Sequence, residues 1–432
     1  MSTDAVAVIG FVSLFVAMLL RVPIGIAMGT VGVLGFGYLA DMGPALRILA
    51  QSPIRTATDL GFGVVPLFLL MGAFATASGM SRELYAVAHA FLGHFRGGLG
   101  TATIAASAGF AAISGSSVAS AATFANVAYP EMRRYGYPAT FATGVIAAGG
   151  TLGIMIPPSV VLAVYGIITE QDIGKLFIAG IIPGIIATSM YVLCVIVLAA
   201  RNPEAFPLAP KASWSERLAS LRGVWAILLL FFFVIGGIYG GAFTPTEAAG
   251  MGAGGAFLIS LLRGRLTVAL TIKCLVDTVR TSAAVFTILI GAMIFGYFLT
   301  ITQTPQKVTD FITHLGLAPY VVLLMVMAMY LVLGCILDAM AMIILTIPII
   351  FPAMMELGFD PIWFGVIIVM TVELGLITPP IGMNVYVINS VLKDVNLSTI
   401  FYGVTPFIIT DVIRLAILVS FPILSTFLPS QM

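Results

Sequence analysis

Leu152-Gly153-Ile154-Met155-Ile156-Pro157-Pro158 and Leu374-Gly375-Leu376-Ile377-Thr378-Pro379-Pro380 decide how this chain folds. Each sets paired prolines inside a long apolar stretch, and the two lie 222 residues apart. The same offset aligns Pro130 with Pro352, Met132 with Met354, Gly136 with Gly358 and Asp172 with Asp394. Matched Pro and Gly weigh more than matched apolar residues, because they fix backbone shape. Proline lacks an N–H and clashes with the preceding turn, so a Pro-Pro pair unwinds a helix and frees carbonyls. In hydrocarbon those carbonyls need partners from the protein or from a lined cavity.

The rest of the chain supplies the hydrocarbon setting. Of its 432 residues 60% are hydrophobic and 9% charged, against roughly 25% charged in soluble domains. That excludes a soluble enzyme, a disordered chain and a disulfide scaffold. Nineteen Lys+Arg against eighteen Asp+Glu leave a net charge of +1, so no basic field exists for nucleic acid. Cys194, Cys274 and Cys335 lie far apart without metal-ligand spacing. The composition is that of an all-α polytopic protein embedded in a lipid bilayer.

A crossing needs about 20 mostly apolar residues. Ten segments qualify: Ala5–Leu20, Ile24–Ala40, Gly61–Met80, Ala139–Ile168, Ile173–Ala200, Val224–Gly241, Ala248–Leu262, Thr281–Thr300, Ile362–Ser390 and Ile400–Leu428. The first is no cleavable signal peptide, since Asp4 occupies the would-be basic region. Two more stretches, Gly98–Tyr129 and Ala318–Pro352, are long enough to enter twice but carry small or polar residues midway. The first holds Ser114-Gly115-Ser116-Ser117, the second Gly334-Cys335-Ile336-Leu337-Asp338, and both read as re-entrant hairpins. Ser116 meets Asp338 under the same offset, so the tips coincide.

Positive charge predicts the orientation. Arg201, Lys211, Arg217 and Arg222 mark one cytoplasmic loop; Arg263, Arg265, Lys273 and Arg280 mark another. Counting back puts Arg82, Arg96, Arg133 and Arg134 inside, while Arg47 and Arg55 fall outside, an exception that an interfacial helix would explain. An odd number of crossings between the hairpins inverts the second repeat, the mark of secondary transporters. The expected division is scaffold over 1–60, a first core repeat with a cytoplasm-facing hairpin over 61–168, and scaffold with basic loops over 169–280. A second core repeat with a periplasm-facing hairpin follows over 281–390, then a scaffold helix over 391–432.

The breaks suggest a cation site in each repeat. Backbone and hydroxyl oxygens replace the hydration shell of a small hard cation well. Ser114, Gly115, Ser116, Gly150, Thr151 and Pro157 would form one Na+ cage; Gly334, Asp338, Thr371, Thr378 and Pro379 its partner. Prolines that only kink their helices, with hydroxyls bonded back to the backbone, are the competing reading. Half-helix N-termini favour an anionic group between the tips, where Ser116, Ser117, Asp338 and Asn384 would meet it. Asn384 and Asn389 serve equally as interhelical glue.

Few other ionisable groups lie in apolar segments. Asp338 at a hairpin tip must line a cavity or find a partner. Glu373 abuts the second break, as organiser or as buried structural carboxylate. Asp411 and Arg414, spaced i,i+3, pair with each other. Thr244-Pro245-Thr246-Glu247 reads as a capped helix start. His89, His94 and His314 lack metal spacing, and no GxxxxGK[ST] motif supports ATP-driven transport.

At these motifs the chain resembles the large membrane subunit of tripartite ATP-independent periplasmic (TRAP) transporters, the DctM-like family. The resemblance rests on Ala112–Ser120, Gly149–Ser159, Phe243–Ala249 and Glu373–Asn384, and extends over nearly the whole chain. It implies an elevator-type fold, two inverted repeats sliding as a core against a scaffold in a bacterial inner (cytoplasmic) membrane. It implies inward Na+ flux as driving force and organic acids as substrates: four-carbon dicarboxylates, sialic acid or other sugar acids. It also implies two partners, a periplasmic substrate-binding protein and a small four-helix membrane subunit, the latter expected as a separate chain. A stand-alone divalent-anion/Na+ symporter would share much of the architecture. An ion channel would need a continuous pore, and no paired carboxylates or nucleophile–base motif points to an enzyme.

Overall fold

The computed structural model describes residues 1–432 and contains helices and connecting turns without strands. Two apolar helices, α1 (Thr3–Leu19) and α2 (Ile24–Leu39), lead to α3 (Met42–Thr58), an amphipathic helix carrying Arg47 and Arg55. Its amphipathic pattern is the kind that those two arginines led us to expect. Next come α4 (Val64–Ala77), a second amphipathic helix α5 (Met80–Leu92), and the hairpin of α6 (Gly98–Ser114) and α7 (Ser117–Arg134). The first broken crossing is α8 (Ala139–Met155) with α9 (Val160–Thr169), followed by α10 (Ile173–Ala179) and α11 (Ile181–Arg201). Three long helices follow: α12 (Trp214–Tyr239), α13 (Pro245–Leu262) and α14 (Val268–Thr302). The amphipathic α15 (Thr304–His314) precedes the second hairpin, α16 (Pro319–Gly334) and α17 (Ala339–Glu356). The second broken crossing is α18 (Pro361–Gly375) with α19 (Met383–Val391), and α20 (Leu397–Ser420) completes the helical body.

The 222-residue offset organises these elements. It carries α7 onto α17 residue for residue and α8 onto α18 from the same first position. Gly136 and Gly358, each after a return arm, have φ of 83° and 84°. Only glycine takes that left-handed conformation without strain, which is why the pair stands out in the sequence. Ser116 and Asp338 are likewise equivalent, each the N-cap of its return arm. Each hairpin is also preceded by an amphipathic helix, α5 or α15.

Length and composition identify seven spans able to cross, among them Ala139–Thr169 and Val268–Thr302. The helices Thr3–Leu19, Ile24–Leu39 and Pro361–Gly375 are shorter, and one of the seven, Ala339–Glu356, is a hairpin arm. Two basic segments expected as loops are partly helical. Arg217 and Arg222 lie in α12, begun early by a Ser213–Glu216 capping box. Lys273 and Arg280 lie in α14, which starts well before Thr281. Thr244 and Glu247 form the expected capping box at α13.

The basic segments share one end of the molecule. Glu83 pairs with Arg263 at 2.6 Å and Arg265 at 2.8 Å, Arg263 donates to Gly223 O, and Arg265 donates to Ser78 O. Lys307, on α15, pairs instead with Asp4.

Helices of the segments 169–280 and 391–432 touch the hairpin repeats directly. A Cβ on Gly403 would lie 1.9 Å from Thr140 O, so α20 rests directly on α8. On the other side, α11 packs on α6, α8 and α20. Meanwhile α2 rests on α14 at Gly25 and Gly291, and α13 rests on α4 at Gly252 and Met71.

Candidate functional site

Both tips lead into a return arm through a side-chain N-cap. Ser114 ends α6, Gly115 turns with φ 58°, and Ser116 Oγ accepts from Ala119 N at 3.3 Å to cap α7. In the second hairpin Asp338 Oδ1 accepts from Met340 N at 2.9 Å and Ala341 N at 3.0 Å. A side-chain oxygen at the N-cap satisfies orphan N–H groups of the first turn, and Ser and Asp are favoured there. Asp338 is therefore anchored by one oxygen.

Each tip rests on its own helix break. A Cβ on Gly115 would lie 2.9 Å from Pro158 O, and one on Gly153 would lie 2.5 Å from Ser116 O. In the second repeat a Cβ on Gly375 would lie 2.8 Å from Gly334 Cα, and Cys335 Sγ donates to Pro379 O at 3.2 Å. The glycines flanking the prolines are there because backbone touches backbone. Both Pro-Pro bonds are cis.

The two tips also meet each other. Gly115, Ser116 and Ser117 from one and Asp338 from the other line a single cavity of about 140 Å³. Ile154 and Leu376, at the two breaks, extend the lining, and Leu69 of α4 with Thr281 of α14 closes it. Asn384 Nδ2 donates to Ser117 Oγ across the repeats at 2.5 Å. The wall is mostly apolar with convergent hydroxyl and carboxylate oxygens, the usual make-up of a small-molecule site. No trio of His, Cys, Asp or Glu gathers anywhere in the molecule. The oxygen donors suit a hard cation and not a transition metal.

A profile of the "Tripartite ATP-independent periplasmic transporter, DctM component" matches residues 11–424. The chain belongs to this family. It is 39% identical over 387 residues to the C4-dicarboxylate TRAP transporter large permease protein DctM of Pseudomonas aeruginosa, covering 89% of this chain and 90% of that one. It is 33% identical over 390 residues to the sialic acid TRAP transporter large permease protein SiaM of Vibrio cholerae, covering 89% and 90%. The YdaH transporter of Alcanivorax borkumensis has the same fold, with a TM-score of 0.64 over 88% of this chain and 90% of that one at 17% identity. The DctM-family chain is thus a polytopic TRAP large permease subunit and not an enzyme.

The sequence-derived residues divide around this cavity of the DctM-family chain. Gly115, Ser116, Ser117 and Asp338 share the cavity, and Asn384 touches it through Ser117. Ser114 Oγ bonds Ser120 Oγ at 2.9 Å behind the tip. Gly150 packs on Ala121, bringing α8 against α7. Pro157 is buried, whereas Pro379 is exposed. Several hydroxyls bond back to backbone: Ser159 to Ile154 O at 2.5 Å, Thr378 to Leu374 O at 2.5 Å and Thr371 to Ile367 O at 2.8 Å. Ser159 in this way fills one carbonyl that the first break would otherwise free. Thr371 faces an apolar groove shared with Leu324 and Leu415, away from the tips. Thr151 turns its hydroxyl to Tyr191 instead of the first hairpin.

Glu373 and the Asp411–Arg414 pair form one cluster. Arg414 lies 3.1 Å from Asp411 and 2.9 Å from Glu373, all three fully buried. Leu69 and Thr281 were not legible as lining residues, because nothing in a helix's own sequence says which partner it closes upon.

Proposed function

We propose that this chain is the large permease subunit of a Na+-coupled, binding-protein-dependent importer of organic acids in a bacterial inner membrane. The observation that carries this reading is the shared cavity, with two hairpin tips on one side and α4 and α14 on the other. This reading takes the cavity as the boundary along which two parts of the chain move. The hairpins, α8–α11 and α18–α20 are the moving body; α1–α4 and α12–α14 are the fixed one. Sliding one past the other exposes the cavity to each side in turn, which is an elevator.

Na+ is a co-substrate here. The Ser116 tip with the Pro157 break, and the Asp338 tip with the Pro379 break, each offer hydroxyl, carbonyl or carboxylate oxygens. Neutralising charge at Asp338 would admit an organic anion beside Ser116, Ser117 and Asn384. Relatives named for C4-dicarboxylates and sialic acid support an organic-acid substrate. A family of tripartite periplasmic transporters supports a periplasmic partner. A small four-helix subunit, as a separate chain, completes the proposed assembly.

The test is uptake into proteoliposomes holding this chain and its small subunit, with labelled four-carbon dicarboxylate. Uptake that requires both the binding protein and an inward Na+ gradient is the expected result. Uptake by this chain alone would make it a self-sufficient symporter, and single-channel currents would make it a channel.

A further inference from the structure

Five side chains, each with no exposed surface, run between the two helix breaks as one polar chain of three hydrogen bonds and one ion pair. Thr151 Oγ1 lies 3.1 Å from Tyr191 Oη, and Tyr191 donates to Asp411 Oδ2 at 2.7 Å. Arg414 Nη2 lies 3.1 Å from Asp411 Oδ1 and donates to Glu373 Oε2 at 2.9 Å. The ends of the chain, Thr151 and Glu373, are equivalent positions of the two repeats, 222 residues apart. Each stands two residues before the glycine that lets a hairpin tip touch its broken helix. Four helices contribute: α8, α11, α20 and α18.

Proton counting gives the chain a direction. Tyr191 commits its one proton to Asp411, so Thr151 must be the donor in its contact with Tyr191. Thr151 also has Ala148 O at 2.8 Å, so its single proton serves either the α8 backbone or the tyrosine. At the other end one guanidinium nitrogen hydrogen-bonds Glu373 and forms an ion pair with Asp411, while Arg414 Nε and Nη1, Asp411 Oδ1 and Glu373 Oε1 have no hydrogen-bond partner. Because their side chains have no exposed surface, a lost partner leaves these groups with an unpaired polar atom in the interior. A displacement of α18 at its break is therefore felt by Arg414, and through Asp411 and Tyr191 by Thr151.

We propose that Arg414 and Tyr191 are positioning residues that couple the two breaks, so that filling one Na+ site raises the affinity of the other. The proposal rests on the reading that Na+ occupies both breaks. By linkage the effect is reciprocal between the sites. Symmetric repeats alone would leave the two sites independent; the chain of bonds makes them answer to each other.

The test uses the full chain in two formats: Na+-dependent uptake with its partners, and thermal stabilisation by Na+ of the purified subunit without substrate. Potassium replaces sodium in the control. Tyr191→Phe removes one hydroxyl, keeps every charge, and keeps the edge contact with Phe407. The parent should respond to Na+ with a Hill coefficient approaching about two, the number of coupled sites. In Tyr191→Phe it should fall towards one in both formats, with maximal uptake within about twofold. Thr151→Val, which cuts the chain at its far end, should flatten the response equally, and Thr151→Ser should restore it. A merely structural tyrosine would lower the melting temperature and leave the steepness untouched; that result overturns the coupling alone. So does a parent Hill coefficient of one. A parent indifferent to Na+ would overturn the Na+ reading, and the coupling with it.

Discussion

Asn384, in the first turn of α19, donates from Nδ2 to Ser117 Oγ at 2.5 Å and so ties the second repeat to the tip of the first hairpin. Their equivalents under the offset are Leu162 and Ala339, which cannot form such a bond. The bond therefore occurs once, beside Ser116 and Asp338, and makes a pseudo-symmetric cavity chemically one-sided. Asn384 Oδ1 is buried without a partner. Asn384→Ala removes the only donor to Ser117 and leaves a polar gap, costing about 1–3 kcal/mol. Uptake at subsaturating substrate should drop about tenfold or more by that measure, while Ser117→Ala has the smaller effect. Equal uptake in Asn384→Ala and the parent would reduce the asparagine to interhelical glue.

Asp338 performs two jobs that one substitution separates. Asparagine caps a helix about as well as aspartate, so Asp338→Asn should keep the bonds to Met340 N and Ala341 N while removing the charge. Stability should change by no more than about 0.5 kcal/mol, and Na+-driven uptake should fall at least about tenfold. Full uptake in Asp338→Asn would remove the carboxylate from the site. Ser116→Ala tests the other tip, and should raise the Na+ concentration needed for half-maximal uptake.

The hairpins demand glycine where they meet the breaks. A Cβ at Gly153 would sit 2.5 Å from Ser116 O, and one at Gly375 would sit 2.8 Å from Gly334 Cα, so in each case backbone itself must move. Gly254, on α13, has nothing within 4 Å of its ideal Cβ. In helices Ala is favoured over Gly by about 1 kcal/mol. Gly254→Ala should therefore be neutral or stabilising, whereas Gly153→Ala and Gly375→Ala should abolish uptake by lifting the tips. Melting temperature and uptake of the three purified variants decide it; similar values in all three would mean the tips are not seated as described.

Much of this architecture is legible in the sequence, and the reason is physical. Pro157-Pro158, Pro379-Pro380, Gly136 and Gly358 fix backbone shape, so their spacing announced two repeats and their breaks. The capping pair Thr244–Glu247 is equally local and equally readable. What stayed hidden depends on long-range packing. Nothing local to Tyr191 tells that its hydroxyl meets Asp411, 220 residues later. Thr151 and Thr371 looked like cage oxygens because hydroxyls near a break resemble ligands, but rotamer and neighbour decide where they point. The grouping of α20 with α8 turns on Gly144 and Gly403, two glycines among forty-five.

The shared end of the basic segments makes a topology prediction. Lys211 is exposed near Ala209, whose N–H meets Gly93 O, and this region joins the Glu83–Arg263 end of the molecule. Asp310, on α15 with Lys307, is exposed on the segment that pairs with Asp4. The native thiols Cys274 and Cys335 are buried and Cys194 is half-buried, so all three should label slowly. With an impermeant thiol reagent on the periplasmic side, Asp310→Cys should label at once, and Lys211→Cys only after the membrane is opened. The reverse order would invert the molecule in the membrane.

The final prediction concerns how the buried charges of α18 and α20 tolerate loss. Arg414 is the only cation between Glu373 and Asp411, and none of the three is exposed. Arg414→Met, close in length and apolar, leaves two carboxylates facing each other in an apolar interior. Breaking a buried pair from one side typically costs about 3–5 kcal/mol, and here two like charges remain in place of one. Glu373→Gln leaves Arg414 balanced by Asp411 with its acceptor oxygen in place, so the penalty should be far smaller. Purified Arg414→Met should thus melt well below the parent or fail to survive extraction. Glu373→Gln should extract normally and melt within a few degrees of the parent. The rank order matters more than either value: were Glu373→Gln the more damaging, Glu373 would be anchoring the second break through something other than its bond to Arg414.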